Sequence, residues 1–489
     1  MKKIQSYKVA LFVAGVLVLL FAVTWFVPDE GWNVFGSRYK FLTLEEYIQP
    51  KVQEKKNIEE IVSNVDTSMT EDPLLTHENN SNGDYGAPIK GNFDMNATTA
   101  LEMDETGRKN LYDFFEKLST VSSKREKLSI LHYGDSQIEG DRMTSYIRQK
   151  IQLQFGGTGP GLIPAMDVYN SFTFKQNYSD NFKRYTCFGG ASLKSAKYGV
   201  MASASRFTPE YEIDSTFNID SLPPSTGWIE ILPSRVAYSR ARQFNNVRMH
   251  YNDCRAPVQL NVFKNGVLVH EELLNTDGGQ HSVLLTFEET PGVLKYEFEG
   301  KLSPNVCGFS LEGDYGVQVS NIAMRGSSGT VWGRMNAGVL EPMYNEIGTE
   351  LIVMQFGGNS VPFFKDILAV ERFSRYFKSQ INRIKKINPG AMVVVIGPSD
   401  MSKLEASIYS TYKYLPYCVQ QMKKVTIAAG GAFYSLYHSM GGKNSMPAWV
   451  EKGLAGKDHI HFSSSGAKIA SQKFYEAFIA EYGKWQTPQ

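Results

Sequence analysis

Residues 128–143, LSILHYGDSQIEGDRM, open on an apolar run that breaks at Gly134-Asp135-Ser136 and passes at once into charged, helix-favouring residues. An apolar run of this length reads as a buried strand, and Gly-Asp-Ser reads as a tight turn. Asp and Ser also cap helices routinely, so the turn has a plain structural explanation. The other explanation is that the strand delivers a hydroxyl nucleophile to its carboxyl end. Only the partners of that hydroxyl can separate the two.

The same rhythm returns downstream. VQVSNIAMRG (317–326), TELIVMQFGG (349–358) and AMVVVIGPSD (391–400) are apolar runs of strand length. Helical periodicity fills the gaps at about 331–347 and at 366–387, the latter carrying Ile367, Val370, Phe373, Phe377, Ile381 and Ile384. Further helices are expected from about Thr106 (Leu111, Phe114, Phe115 and Leu118 on one face), over Glu139–Phe155, near 407–428 and over Ser465–Tyr482. Continuous apolar strands alternating with helices imply an α/β fold whose mostly parallel sheet is covered on both faces. Sites in such sheets lie beyond the carboxyl ends of the strands. Ser136, Gly326, Asn359 and Pro398 each fall just after an apolar strand.

Residues 185–317 have a different texture. Short alternating runs such as TGWIEILP, NVRMHYND and VLKYEFEG are separated by Asn-Gly, Asp-Gly-Gly and Pro-Gly turns. VQLNVFKNGVLVHEE is a hairpin signal, with Lys264-Asn265-Gly266 at the turn. This segment reads as a β-sandwich-like module inserted into the α/β domain, which then comprises residues 108–184 and 318–489.

At the N-terminus Lys2, Lys3 and Lys8 precede an uncharged run, Val9 to Val27, closed by Pro28-Asp29-Glu30. Nineteen such residues are enough for a membrane-spanning helix, and the positive flank places residues 1–8 in the cytoplasm and the body outside it. No small-x-small cleavage signal follows, so the segment reads as an uncleaved anchor on an extracytoplasmic, periplasmic body. Residues 28–107, polar and rich in Asn, Thr and Gly, read as a stem. A formal net charge of +1 gives no reason to expect nucleic acid as a partner. The four cysteines, Cys187, Cys254, Cys307 and Cys418, show no CxxC spacing. An oxidising compartment permits one disulfide, for which Cys254 with Cys307 is the pair to test; the others read as buried free thiols.

A serine nucleophile needs a base, a group that orients the base, and donors for the oxyanion. Of the eight histidines, His77 lies in the stem, His250, His270 and His281 in the β segment, and His132 on the strand before the turn. His438 and the pair in GKDHIHFSSSGAKIA remain. Asp458 precedes His461 by three residues on a loop entering the last helix. That spacing lets the carboxylate meet Nδ1–H and leaves Nε2 facing a serine. An isolated Asp-x-x-His is more often a loop with capping groups; a metal reading with Asp458, His459 and His461 as ligands is weaker still, because Asp-x-x-His has no third strong ligand beside it and the cysteines offer no complement. Neither a metal nor a cofactor is implied.

GDS after the first strand, a glycine after the second, GGNS after the third and DHIH before the last helix resemble, in order, the four sequence blocks of the SGNH (GDSL-type) hydrolases. The resemblance covers about 108–183 and 318–489. Gln137 departs from it, standing where lipolytic members have Leu. HYGDSQIEGD, the inserted β module and GVQVSNIAMRGSSG look most similar to the peptidoglycan O-acetylesterase branch.

The resemblance implies a three-layer α/β/α fold with Ser136 as nucleophile, His461 as base and Asp458 as the orienting acid. The oxyanion hole would be the N–H groups of Ser136 and Gly326 with the side-chain amide of Asn359. Gly329 is an alternative to Gly326, and for Asn359 alone a plain turn role would be the better reading. Met401 is placed near the pocket. The implied activity is removal of O-acetyl groups from a cell-wall or exported glycan, with the acetylated glycan and the membrane as partners. An O-acetyltransferase using the same triad, served by a membrane acyltransferase partner, and a non-catalytic glycan-binding protein are the alternatives.

Overall fold

The computed structural model describes residues 6–26, 32–34, 37–39, 56–63, 100–213, 217–405 and 407–487. Five parallel strands form its central sheet: β1 (Lys127–Gly134), β2 (Gly316–Ala323), β3 (Thr349–Gln355), β4 (Met392–Ile396) and β5 (Ala432–Tyr434). Their spatial order is β2-β1-β3-β4-β5, every neighbouring pair parallel. The chain therefore winds one way from β1 to β2 and the other way from β3 onward. A crevice opens beyond the carboxyl ends of β1 and β3, where the winding reverses.

Helices follow in chain order as α1 (Ser6–Phe26), α2 (Glu105–Thr120), α3 (Thr144–Phe155), α4 (Ala337–Glu346), α5 (Ile367–Ile387), α6 (Leu415–Ile427) and α7 (Ser464–Gln486). Alternate strand residues feed two cores, as a sheet buried on both faces requires. Ile130 and Val353 pack with Phe115 of α2, Ile147 of α3 and Phe478 of α7. Leu131, Tyr133 and Ile352 pack with Leu340 of α4, Phe377 of α5 and Met422 of α6.

Between β1 and β2 the chain builds two antiparallel sheets of five and six strands. They share one hydrophobic cluster, with Ile229, Leu260 and Tyr296 from one sheet against Met249, Val283 and Phe309 from the other. The Asn-Gly hairpin is present, with Asn265 and Gly266 both at positive φ (50° and 84°), as its tight turn requires. These sheets begin at Gly161, upstream of the expected position 185. Their first strands, Gly161–Ile163, Phe174–Tyr178 and Lys183–Thr186, are three to five residues long. Runs that short carry no readable alternation.

Two expected helices are shorter than their periodicity suggests. Helix α3 starts at Thr144, not Glu139, because Gly140 and Asp141 turn left-handed (φ 63° and 69°). That turn carries Asp141 inward, where Arg148 Nη1 meets its carboxylate at 2.5 Å. The segment expected to be helical from 407 instead pairs Ile408–Thr411 with Ser402–Glu405 as a hairpin, and α6 begins only at Leu415.

Every described side chain of α1, Tyr7–Leu20 and Ala22, is exposed. The anchor expected over Val9–Val27 is not shown. Among the described residues no helix is long and apolar enough to cross a membrane. Most of the expected stem lies outside the described residues. No disulfide joins Cys254 to Cys307: all four cysteines are free and buried. The Cys307 Sγ instead receives the Asn252 side-chain amide at 3.1 Å, and the Cys254 thiol faces the Ala256 carbonyl at 3.4 Å.

Candidate active site

Ser136 is the second residue past β1, on a turn built by its neighbours. Asp135 Oδ1 accepts the Gln137 N–H at 3.0 Å. A Cβ on Gly134 would come within 2.9 Å of the Ile138 side chain and 3.2 Å of the Gln355 carbonyl oxygen, so any larger residue would have to push Ile138 aside. From this turn Ser136 Oγ meets His461 Nε2 at 2.8 Å. On the far side of the ring, His461 Nδ1 meets Asp458 Oδ2 at 2.7 Å. The other carboxylate oxygen, Oδ1, accepts the N–H groups of Ile460 and His461 at 3.0 and 3.1 Å. Burial raises the Asp458 carboxyl, but these bonds outweigh it and hold the group below its usual range. An ionised Asp458 keeps the proton on Nδ1 and presents Nε2 as an acceptor to the serine hydroxyl.

The loop that carries this histidine is fixed at both ends. Gly456 N–H donates to the His461 carbonyl at 2.7 Å. Ser463 Oγ caps α7 by accepting the Gly466 N–H at 3.2 Å. A Cβ on Gly466 would fall 1.8 Å from the Leu454 carbonyl oxygen, so this approach of loop to helix needs glycine.

Among the described residues, the other histidines have other partners. His132 is buried between Gln355 Oε1 (3.0 Å) and Thr144 Oγ1 (2.9 Å), and burial pushes its pKa down to about 4. His438 Nδ1 lies 2.6 Å from Ser435 Oγ. His459 stacks on Tyr409, with ring centroids 3.4 Å apart and planes 9° from parallel. His250 sits in a second Ser–His–Glu chain, between Ser310 Oγ at 2.8 Å and Glu346 Oε2 at 3.2 Å. None of those three residues lines the cavity at Ser136.

That cavity has a volume of about 190 Å³. Ser136, Asn359 and His461 line it, and Phe356, Met401 and Ile460 give it apolar walls. Asp458 stands behind His461, outside the lining. Asn359 Nδ2 donates to Asp135 Oδ2 at 3.2 Å and to the Ser327 carbonyl at 3.0 Å. Gly326 is exposed, at φ 76°, and does not border the cavity. The Gly329 N–H is committed to Ser327 Oγ at 3.2 Å.

Sequence reasoning did not assign a role to Gln137. Its buried side chain donates from Nε2 to the Ile460 carbonyl and accepts the Phe462 N–H on Oε1, gripping the backbone on both sides of His461. A polar residue where lipolytic relatives carry an apolar one was the available signal. Tyr409 had none, because its stacking partner lies fifty positions away.

A doubly wound parallel sheet with a Ser–His–Asp chain at its switch point defines the class of this fold and site. No protein-family model matches the chain, and no match was found among curated proteins. Among solved structures, the chain is similar to a peptidoglycan O-acetylesterase at a TM-score of 0.58 and 20% identity, covering 76% of this chain and 96% of that one. That likeness shows a shared fold across most of both molecules. Family two carbohydrate esterases from Clostridium thermocellum, solved with cellohexaose, and from Cellvibrio japonicus also match, at 11% and 8% identity. They cover 56% and 64% of this chain and 97% and 100% of their own, with TM-scores of only 0.24, too low to bear on the fold.

Proposed function

We propose that the protein is an SGNH-type serine esterase that removes O-acetyl groups from a cell-wall or exported glycan. The observation that carries this reading is the hydrogen-bonded chain Ser136–His461–Asp458 beside a cavity where the sheet reverses its winding. In this reading Ser136 Oγ attacks the ester carbonyl carbon as its proton passes to His461 Nε2, and Asp458 stabilises the imidazolium through Nδ1–H. His461 returns the proton to the departing sugar oxygen. Water, deprotonated by the same imidazole, then attacks the acyl-serine; the bond from the acyl carbon to Ser136 Oγ breaks, His461 Nε2 returns the proton to Oγ, and acetate leaves.

The oxyanion is assigned to the N–H groups of Ser136 and Gly326 and to Asn359. Gly326 is preferred to Gly329 because the Gly329 N–H is already engaged by Ser327 Oγ. Both Nδ2 hydrogens of Asn359 are engaged, by Asp135 Oδ2 and the Ser327 carbonyl, so in this reading one of these bonds, the longer 3.2 Å bond to Asp135, gives way when the amide turns to the oxyanion. The substrate class is taken over from the peptidoglycan O-acetylesterase that shares the fold. Residues 108–184 and 318–489 are the hydrolase part in this reading. The antiparallel layers, placed at 185–317 by sequence but beginning at Gly161 in the structure and so taking in the end of the first hydrolase segment, form an inserted module that helps position a polymer.

The purified protein is expected to release acetate from O-acetylated peptidoglycan, and a folded Ser136→Ala protein is not. A wild-type protein that releases acetate from neither this glycan nor a simple acetyl ester overturns the reading. The same proposal includes an N-terminal anchor and an extracytoplasmic body, resting on the lysine flank and the uncharged run that follows it. Recovery of the full chain in the soluble fraction after cell lysis would refute the anchor.

A further inference from the structure

Phe363 is the most exposed large apolar side chain among the described residues, at 78%, and it stands on the rim of the Ser136 cavity. The turn imposes this exposure. Phe363 closes the 3-10 turn Gly358–Phe363, on which Asn359 also sits. Val361 of that turn is buried, and the Phe364 N–H donates to its carbonyl at 3.3 Å. The Phe364 ring packs against Phe373 with centroids 5.6 Å apart. One residue on, the Tyr414 hydroxyl donates to the Lys365 carbonyl at 3.0 Å. The backbone is thus fastened on both sides of Phe363, and its ring projects into water. Ile367 and Leu368 are exposed nearby on α5, but neither borders the cavity.

An aromatic face open to water on a well-anchored backbone suits a flat ligand with one apolar face and hydrated edges. A pyranose ring has that shape, because its axial C–H bonds form an apolar face while its hydroxyls point outward. A long acyl chain would instead need enclosure, which the cavity offers inside, between Phe356 and Met401, and the rim does not. We propose that Phe363 is the platform for the sugar ring that bears the ester, holding it over the rim while the acetyl group enters toward Ser136. The proposal rests on the glycan-esterase reading and adds the residue that selects for the sugar.

The experiment compares wild-type, Phe363→Ala and Phe363→Trp proteins on O-acetylated peptidoglycan fragments, on ethyl acetate and on ethyl hexanoate, following acid release. In parallel, calorimetry measures binding of the same fragments to Ser136→Ala and to Ser136→Ala/Phe363→Ala proteins. On the glycan, kcat/KM of Phe363→Ala should fall at least ten-fold further than on ethyl acetate, chiefly through KM, and Phe363→Trp should retain most of the wild-type value. In the Ser136→Ala background, loss of the ring should weaken glycan binding at least five-fold. Equal losses on both acetate esters, or glycan binding that is absent or indifferent to residue 363, would overturn the platform. So would a larger loss on ethyl hexanoate than on the glycan, which would put an acyl chain there. Should the wild type hydrolyse no ester, the esterase reading fails, and the binding comparison still decides the role of Phe363.

Discussion

The side-chain amide of Gln137 donates to the backbone carbonyl of Ile460 at 2.6 Å, tying the residue after the nucleophile to the residue before the base. Its Oε1 accepts the Phe462 N–H at 3.3 Å, so the loop is gripped on both sides of His461. Gln137→Leu removes both bonds and leaves two backbone groups of the His461 loop unpaired, at a cost of about 1–3 kcal/mol for each that stays buried. Small displacements of a reacting group are expensive, so kcat should fall roughly 10- to 100-fold with KM much less affected. Steady-state kinetics on a simple acetyl ester, alongside thermal unfolding, checks this. A Gln137→Leu protein with wild-type kcat would show that the grip does not position the base.

Asp458 does more than steady its loop, since its Oδ2 faces the His461 ring while Oδ1 takes two backbone N–H groups. Asp458→Asn can keep the backbone bonds through its carbonyl oxygen. Its amide then faces Nδ1 as a donor, which forces the ring proton onto Nε2 and removes the acceptor Ser136 needs. The expected loss in kcat is roughly 10³- to 10⁴-fold, with unfolding little changed. Asn359→Ala should cost roughly 10²- to 10³-fold in kcat through the lost oxyanion donor. Measured rates within a factor of a few of wild type would exclude the assigned roles.

Four of the five parallel strands were legible because each is a largely apolar run that ends in a glycine or small polar residue, as at Gly134 and Gly357; β5, only three residues long, was not. The Asp-x-x-His spacing was legible because both residues sit on one short loop, within reach through local chain geometry alone. What escaped depends on long-range approach. Gln137 finds its partners more than 320 residues away, and nothing near it in sequence marks that pairing. The early strands of the antiparallel sheets escaped for a different reason. LysArgTyrThr at 183–186 has no apolar alternation, and only its neighbour Ser203–Arg206 makes it a strand.

The cysteines give a test that is independent of catalysis. All four are buried and free, and burial pushes Cys254 up to about 11 and Cys187 and Cys418 up to about 12. Thiolate is therefore scarce and inaccessible at neutral pH. A chromogenic disulfide reagent should find essentially no reactive thiol in the native protein and four in denaturant without reductant. Only two thiols in denaturant would mean that one disulfide exists after all.

Asp135 gives the site a pH dependence whose sign can be worked out. Its carboxylate lies buried beneath the turn, accepting the Gln137 N–H and the Asn359 amide. Burial outweighs these bonds and the nearby His461, pushing its pKa up to about 6 from an ordinary value of 3.8. A native pKa above the unfolded one means that the folded protein binds this proton more tightly. The stabilisation is full below about pH 3.8 and is lost as the pH rises through about 6. Two pKa units correspond to about 3 kcal/mol. Asp400, also pushed up to about 6 by burial, acts in the same direction, so wild type alone cannot isolate the effect. Asp135→Asn can, because it cannot ionise. Denaturant unfolding of both proteins from pH 4 to 7 should show the stability difference moving toward the variant by up to about 3 kcal/mol as the pH rises. At pH 7 the variant should still lose activity, since one carboxylate oxygen that holds Asn359 or Gln137 is replaced by a donor. A stability difference that stays flat across this range would mean that Asp135 is ionised throughout, and that its bonds, not its burial, set its charge.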